Sequence, residues 1–181
     1  VLYLTGGSGE IASNWAIEGR INFIMDNLLA EGKVVPMIIA MPNNQMIHRQ
    51  NPNHINLTFG LFEADLKQHI IPFMDLNYST IKSRNGRALS GLSMGGRHAQ
   101  FVGFYNLDLF ASFGILSAGS VETETEFADF LNNPETNKRI DYLFVGQGTK
   151  EAERTERNRT YALHEALTNH KIKHEYYVGG D

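Results

Sequence analysis

The chain has 181 residues, 42% of them hydrophobic and 20% charged, which suits one soluble domain with a sizeable core. A formal net charge of −4 and a pI near 6.0 give no electrostatic footprint for nucleic acid or an anionic membrane surface, so neither is expected as a partner. With no cysteine, disulfides, thiolate metal sites and a cysteine nucleophile are excluded.

Short apolar runs alternate with amphipathic segments from end to end, a pattern that predicts strands joined by crossover helices and a mostly parallel sheet. Residues 1–4 read as a buried strand followed by the turn Thr5-Gly6-Gly7-Ser8-Gly9. A helix over 20–31 follows, with Phe23, Ile24, Asn27 and Leu28 on one side and Gly32 at its end. Residues 37–41 form the next strand, stopped by Pro42, and 43–58 a long polar loop of the kind that lines or covers a site. A helix is expected over 62–76, with Leu66, Ile70 and Phe73 on one face and Pro72 as a kink or early end. Further strands are read at 87–92, 113–116, 142–145 and 174–178, and helices at 95–107, 123–131 and 154–169. No apolar run is long enough to cross a bilayer. The chain starts without Met on one apolar run and stops just after another, so residues 1–181 are expected to be a single α/β domain shortened at both ends, with any signal peptide out of view.

The strongest local signal is strand, then Gly91-Leu92-Ser93-Met94-Gly95-Gly96, then helix. In a nucleophile elbow the serine sits on a strained turn, and small residues two before and two after it avoid a clash of neighbouring backbones. The turn also sets Ser93 at a helix N-terminus, where the Met94 N–H can stabilise an oxyanion. A second donor is expected from the glycine-rich turn after the first strand, through the amide of Ser8 or Gly9. That turn lacks the spacing of a phosphate-binding loop.

In chain order, Val1-Leu2-Tyr3-Leu4, the segment 22–28, Met41-Pro42-Asn43, Phe62-Glu63-Ala64-Asp65-Leu66, Ile70-Ile71-Pro72-Phe73, the segment 87–96, Gly148-Thr149-Lys150 and Gly179-Gly180 together resemble the esterase group of α/β hydrolases that includes feruloyl esterases and acetyl xylan esterases of carbohydrate esterase family 1. The resemblance runs over nearly the whole chain. It implies an α/β-hydrolase fold, a mostly parallel central sheet with helices on both faces, and a catalytic serine at Ser93. It places the oxyanion amides on Met94 and the turn near Ser8, and the acid that orients the histidine on Glu151, with Glu153 as an alternative.

Three departures stand out. Glu151 replaces the family's usual Asp, although a Glu can hold the histidine tautomer as well. Gly6 replaces a histidine that often shapes the oxyanion loop. The catalytic histidine, which in the family follows a strand ending in Gly-Gly, is expected beyond Asp181. None of the seven histidines present fits that role. His98 is read as a packing residue on the helix after the elbow, His164, His170 and His174 as surface groups, His69 as solvent-facing, and His48 and His54 as members of the polar loop. His48 is a candidate substrate contact, and so is Trp15, from its family position. No histidine spacing suggests a metal site.

The expected function is serine carboxylic-ester hydrolysis through an acyl-enzyme, acting on feruloyl or acetyl groups of plant polysaccharide, with no cofactor or metal. The resemblance suggests a secreted or periplasmic protein engaged in polysaccharide degradation. The departures leave open a non-catalytic, esterase-like carbohydrate-binding module, and the shared chemistry leaves open an acyltransferase of the mycolyl type.

Overall fold

A computed structural model describes residues 1–153 and 158–180. Six strands, β1 (Leu2–Thr5), β2 (Ile39–Ala40), β3 (Ala88–Leu92), β4 (Ser112–Leu116), β5 (Tyr142–Gln147) and β6 (Glu175–Val178), form one sheet in the order β2-β1-β3-β4-β5-β6. Every neighbouring pair is parallel. The helices, in chain order, are α1 (Asn14–Ile17), α2 (Ile21–Ala30), α3 (His54–Asp65), α4 (Ile71–Asn77), α5 (Met94–Tyr105), α6 (Thr123–Glu126), α7 (Ala128–Asn132), α8 (Thr136–Arg139), α9 (Thr149–Ala152) and α10 (Arg159–Asn169).

The crossover from β1 to β2 runs one way along the sheet and those from β2 to β3 and from β3 to β4 run the other way. Right-handed crossovers therefore place α2 on the face opposite α3 and α5. The α5 face is the better packed. Tyr3, Leu89, Phe113, Ile115, Leu143 and Val145 alternate along the strands and are buried with Phe62, Leu66, Val102 and Leu163 in one cluster. On the other face α2 buries no residue completely. Its half-buried side is Ile21, Met25 and Leu28, while Phe23 and Ile24 are exposed. The expected face was thus misassigned for three of its four residues, Phe23, Ile24 and Asn27: the i, i+4, i+7 set closer to the sheet is the one that packs.

Two further expectations are corrected. The second strand pairs only over Ile39–Ala40, because it lies at the sheet edge between Pro36 and Pro42, which can donate no ladder hydrogen bond. The polar loop ends at Asn53, and residues 54–58 are already the first turns of α3.

Between α3 and α4 the chain stays helical through a π turn, Leu66–Ile70. Pro72 lacks an N–H and crowds the carbonyl one turn back, and the wider π turn makes room for it. The extra residue shifts the helical phase by one. The buried series runs Phe62, Leu66, Ile71, Met74, so Phe73, expected on the core face, is 56% exposed.

The acidic stretch 123–131 divides into α6 and α7, with α8 beyond it. The helix expected from 154 begins at Arg159, where the Asn158 side chain accepts from the Tyr161 N–H at 2.9 Å; residues 154–157 lie outside the described residues. Among the described residues no helix is long and apolar enough to cross a membrane.

Candidate active site

In a sheet of this order β1 has β2 on one side and β3 on the other, so the strand order reverses there, and the crevice between the carboxyl ends of β1 and β3 is the switch point where open α/β sheets bind ligands. Thr5 pairs with Gly91 there, so the turn 6–10 and Ser93 face each other across that crevice. Ser93 has φ 55° and ψ −117°, a conformation that a non-glycine residue holds only under constraint. Its N–H donates to Leu116 O at 2.8 Å and its carbonyl accepts from the Arg97 N–H at 2.9 Å. These bonds fix both ends of the turn while the serine itself is exposed.

The small residues of the elbow are required by close approach. A Cβ on Gly95 would lie 2.6 Å from Gly6 O and nearer still to Thr5 O, and one on Gly91 would collide with Thr5 Oγ1 and the Gly95 carbonyl. Thr5 is the link between the two halves. Its buried hydroxyl lies 3.0 Å from both Ser90 O and Gly95 O, which share its single proton. The elbow motif did not announce this role, since the threonine lies 85 residues from Ser90.

Across the crevice, several of the backbone groups of the turn 6–10 are occupied. Gly6 O accepts from Asn44 Nδ2 at 2.9 Å, Gly7 N–H donates to the Glu10 carboxylate, and Gly7 O accepts from Gln45 Nε2 at 2.9 Å. Gly9 N–H donates to Gln45 Oε1 at 3.0 Å. Among the described residues no acceptor takes the Ser8 N–H. On the elbow side Met94 opens α5, and the first amides of a helix have no intrahelical acceptor. Of the two turn amides expected as donors, Gly9 is therefore engaged and Ser8 is free.

His98 lies beneath the elbow, fully buried, with its ring packed against Phe59 and Phe62 at centroid distances of 4.7 and 4.9 Å. Nδ1 is 2.8 Å from Met94 O, which assigns the proton to Nδ1. Burial pushes its pKa down to about 4, against the pull of the Met94 carbonyl, and it stays neutral. The expected packing role describes its surroundings.

At the C-terminal end of β5, Glu151 stands in α9 and its Oε1 accepts from the buried Thr160 hydroxyl at 3.2 Å. Glu153 is exposed in the turn that follows. Gly180 O lies 3.2 Å from Thr149 Oγ1, so the chain after β6 emerges beside Glu151. No hydrogen bond links Ser93 to a histidine among the described residues.

The family described as "Putative esterase" matches residues 1–180. The chain belongs to this family. It is 34% identical over 151 residues to an endo-1,4-beta-xylanase/feruloyl esterase of Xylanibacter ruminicola, covering 83% of this chain and 20% of that one. It is 26% identical over 166 residues to endo-1,4-beta-xylanase Y of Acetivibrio thermocellus, covering 82% of this chain and 15% of that one. The chain thus spans about a fifth or less of these curated relatives. Among solved structures, a ferulic acid esterase of carbohydrate esterase family 1 from Anaeromyces mucronatus, in complex with ferulic acid, superposes with a TM-score of 0.79 at 23% identity over 99% of this chain and 71% of that one. A serine-to-alanine mutant of the feruloyl esterase module from Clostridium thermocellum, complexed with sinapinate, gives 0.77 at 23% over 99% and 70%. These likenesses establish the α/β-hydrolase fold.

Two depressions open at this edge of the esterase-family sheet. One, of about 240 Å³, is lined by Glu10, Asn14, Trp15, Glu18 and Leu92, and so adjoins Ser93. The other, of about 440 Å³, is lined by Phe59, Arg97, Phe101, Ser120 and Val121 among others. Arg97 is held there by Glu126 and lies 5.1 Å over the Phe59 ring. Trp15 lines the smaller depression together with Leu92. His48 is exposed, accepts from the Gln50 N–H at 3.3 Å, and lines neither depression. No group of three or more His, Asp or Glu suited to a metal occurs among the described residues.

Proposed function

We propose that this protein is a serine esterase that hydrolyses carboxylic esters, feruloyl or acetyl groups carried on plant polysaccharide, through an acyl-enzyme. The observation that carries the reading is the facing pair: an exposed serine on a strained strand-to-helix turn, and opposite it a turn whose amide at Ser8 is left without an acceptor. Family membership and the xylanase/feruloyl esterase name of a relative support the substrate class. So do the ferulic acid and sinapinate bound by two structural neighbours. An exported location, secreted or periplasmic, suits such a substrate.

In this reading Ser93 Oγ attacks the ester carbonyl and gives its proton to a histidine on the chain following Gly180. The N–H groups of Met94 and Ser8 donate to the oxyanion. Collapse of the tetrahedral intermediate breaks the ester C–O bond, and the leaving alcohol takes the proton from the imidazolium. Water then attacks the acyl-enzyme by the same route, releasing the acid and restoring the Ser93 hydroxyl. Glu151, steadied by Thr160, orients the histidine and offsets its charge. Trp15 borders the substrate at the smaller depression, and His48 is a more distant contact on the loop beside the turn.

The test is hydrolysis of methyl ferulate and p-nitrophenyl acetate by the full-length protein and its Ser93→Ala variant. Loss of at least about 10³-fold in kcat is expected from removing the nucleophile. Equal background rates in both proteins would rule out the serine esterase and favour a binding module.

A further inference from the structure

Three of the four residues 6–9 are glycines, and no helix or strand includes them. Left to itself such a turn would sample many conformers, and the Ser8 N–H would have no fixed aim. Glu10 closes it locally, its N–H donating to Gly7 O at 3.2 Å and its carboxylate accepting from the Gly7 N–H, but the Gly9 end is held only from a loop nearly forty residues further on, among the described residues. Gln45 uses both ends of its amide: Nε2 donates to Gly7 O at 2.9 Å and Oε1 accepts from the Gly9 N–H at 3.0 Å. These two backbone groups lie on either side of Ser8, so the side chain pairs with the turn much as a neighbouring strand would. Gln45 is itself anchored, because its own N–H donates to Asn43 Oδ1 at 3.0 Å. The adjacent Asn44, 1% exposed, donates to Gly6 O.

We propose that Gln45 is a positioning residue for the hydrolysis described above: by bridging Gly7 O and Gly9 N–H it fixes the direction of the Ser8 N–H and removes the neighbouring amide from competition for the oxyanion. The inference rests on that reading of the site. Electrostatic stabilisation of a developing charge depends on donors that are already aimed, since a donor that must reorient during the reaction loses much of its effect. Gln45 needs no contact with substrate to act in this way. Its contribution should appear in the transition state and be absent from ground-state binding.

Gln45→Ala removes both bonds. Gln45→Glu keeps the length and the acceptor for Gly9 N–H, loses the donor to Gly7 O, and brings a negative charge beside the site where the oxyanion forms. The experiment uses the full-length protein with methyl ferulate as substrate and phenylboronic acid as probe, since the anionic tetrahedral adduct of the boronate with Ser93 engages the same amides. Expected for Gln45→Ala is a fall of about tenfold in kcat, a fraction of the 10²–10³ lost when an oxyanion donor is removed outright. KM should stay within about twofold, and boronate affinity should weaken by the same factor as kcat. Gln45→Glu should be slower still, and amide exchange at Gly9 should quicken in the alanine variant while the melting temperature holds. Unchanged kcat and boronate affinity in Gln45→Ala would overturn the proposal, as would a rise in KM alone, or a loss of activity that merely tracks unfolding. An inactive wild-type protein indistinguishable from Ser93→Ala would instead overturn the esterase reading on which the proposal rests.

Discussion

The two walls of the crevice are built by different means. The elbow is held by exclusion: Gly95 approaches the backbone of Thr5 and Gly6, and Gly91 the Thr5 hydroxyl and the Gly95 carbonyl, so closely that no side chain fits, and Ser93 is forced into its strained conformation by bonds at both ends. The facing turn is held by recruitment, its backbone groups taken by Glu10, Asn44 and Gln45. One wall owes its shape to atoms that are missing and the other to atoms supplied from elsewhere. A wall made by exclusion should fail abruptly under small additions, and a wall made by hydrogen bonds should loosen by degrees.

The sharpest way to break this comparison is Gly95→Ala. The added methyl would meet the carbonyl oxygens of Thr5, the last residue of β1, and of Gly6, the first residue of the facing turn; the Thr5 carbonyl cannot withdraw without disturbing the sheet. A destabilisation above about 4 kcal/mol is expected, in the range reserved for severe core strain, and should be read as loss of soluble protein or a collapse of the urea midpoint. Near-normal stability would mean that the elbow yields, and that its wall is no more rigid than the other.

The same contrast explains what could be read from the residues alone. The elbow was legible because its determinants fall within six consecutive residues and carry a steric requirement. The parallel sheet was legible from alternation. The support of the turn was not, because Asn44 and Gln45 lie in a loop without periodicity and reach it across 38 residues. Thr5 was read as the first residue of the glycine-rich turn, whereas it closes β1 and links the two halves of the site. Phe73 was misplaced for a related reason: a π turn that shifts the helical phase depends on how Pro72 is accommodated, and residue spacing assumes an unbroken period. Phe23 and Ile24 were misplaced because an apolar residue need not be buried, and the sheet selects one stripe of α2.

A second, smaller effect makes the elbow sensitive to pH. His98 underlies the elbow and is buried neutral, its pKa pushed from 6.5 down to about 4 chiefly by burial. The unfolded chain takes up this proton near pH 6.5, and the folded one resists it until about 4. Between those values the unfolded state holds more protons, so stability is fully present above pH 6.5 and declines as the pH falls, by about 1.4 kcal/mol per unit and roughly 3 kcal/mol in all. Urea midpoints at pH 7, 5.5 and 4.5 should show this slope in the wild type and a flatter one in His98→Gln. A variant as acid-sensitive as the wild type would remove the elbow from the account of acid lability.

The mildest test compares glycine with glycine. Gly9, in the facing turn, has φ +85°, and among the described residues the only heavy atom within 4 Å of a Cβ built there is Arg49 Nη1, at 3.3 Å. That atom is the far end of a flexible side chain and can move aside, whereas the atoms facing Gly95 are fixed backbone. Gly9→Ala therefore carries only the cost of holding an L-residue in a left-handed conformation, about 1 kcal/mol, and a thermal melt should show a small, graded shift. Because Gln45 still bonds to both neighbours of Ser8, kcat should change less than in Gln45→Ala. If Gly9→Ala proved as damaging as Gly95→Ala, the turn too would be walled by backbone, and the side chains that bond to it would be consequences of its shape.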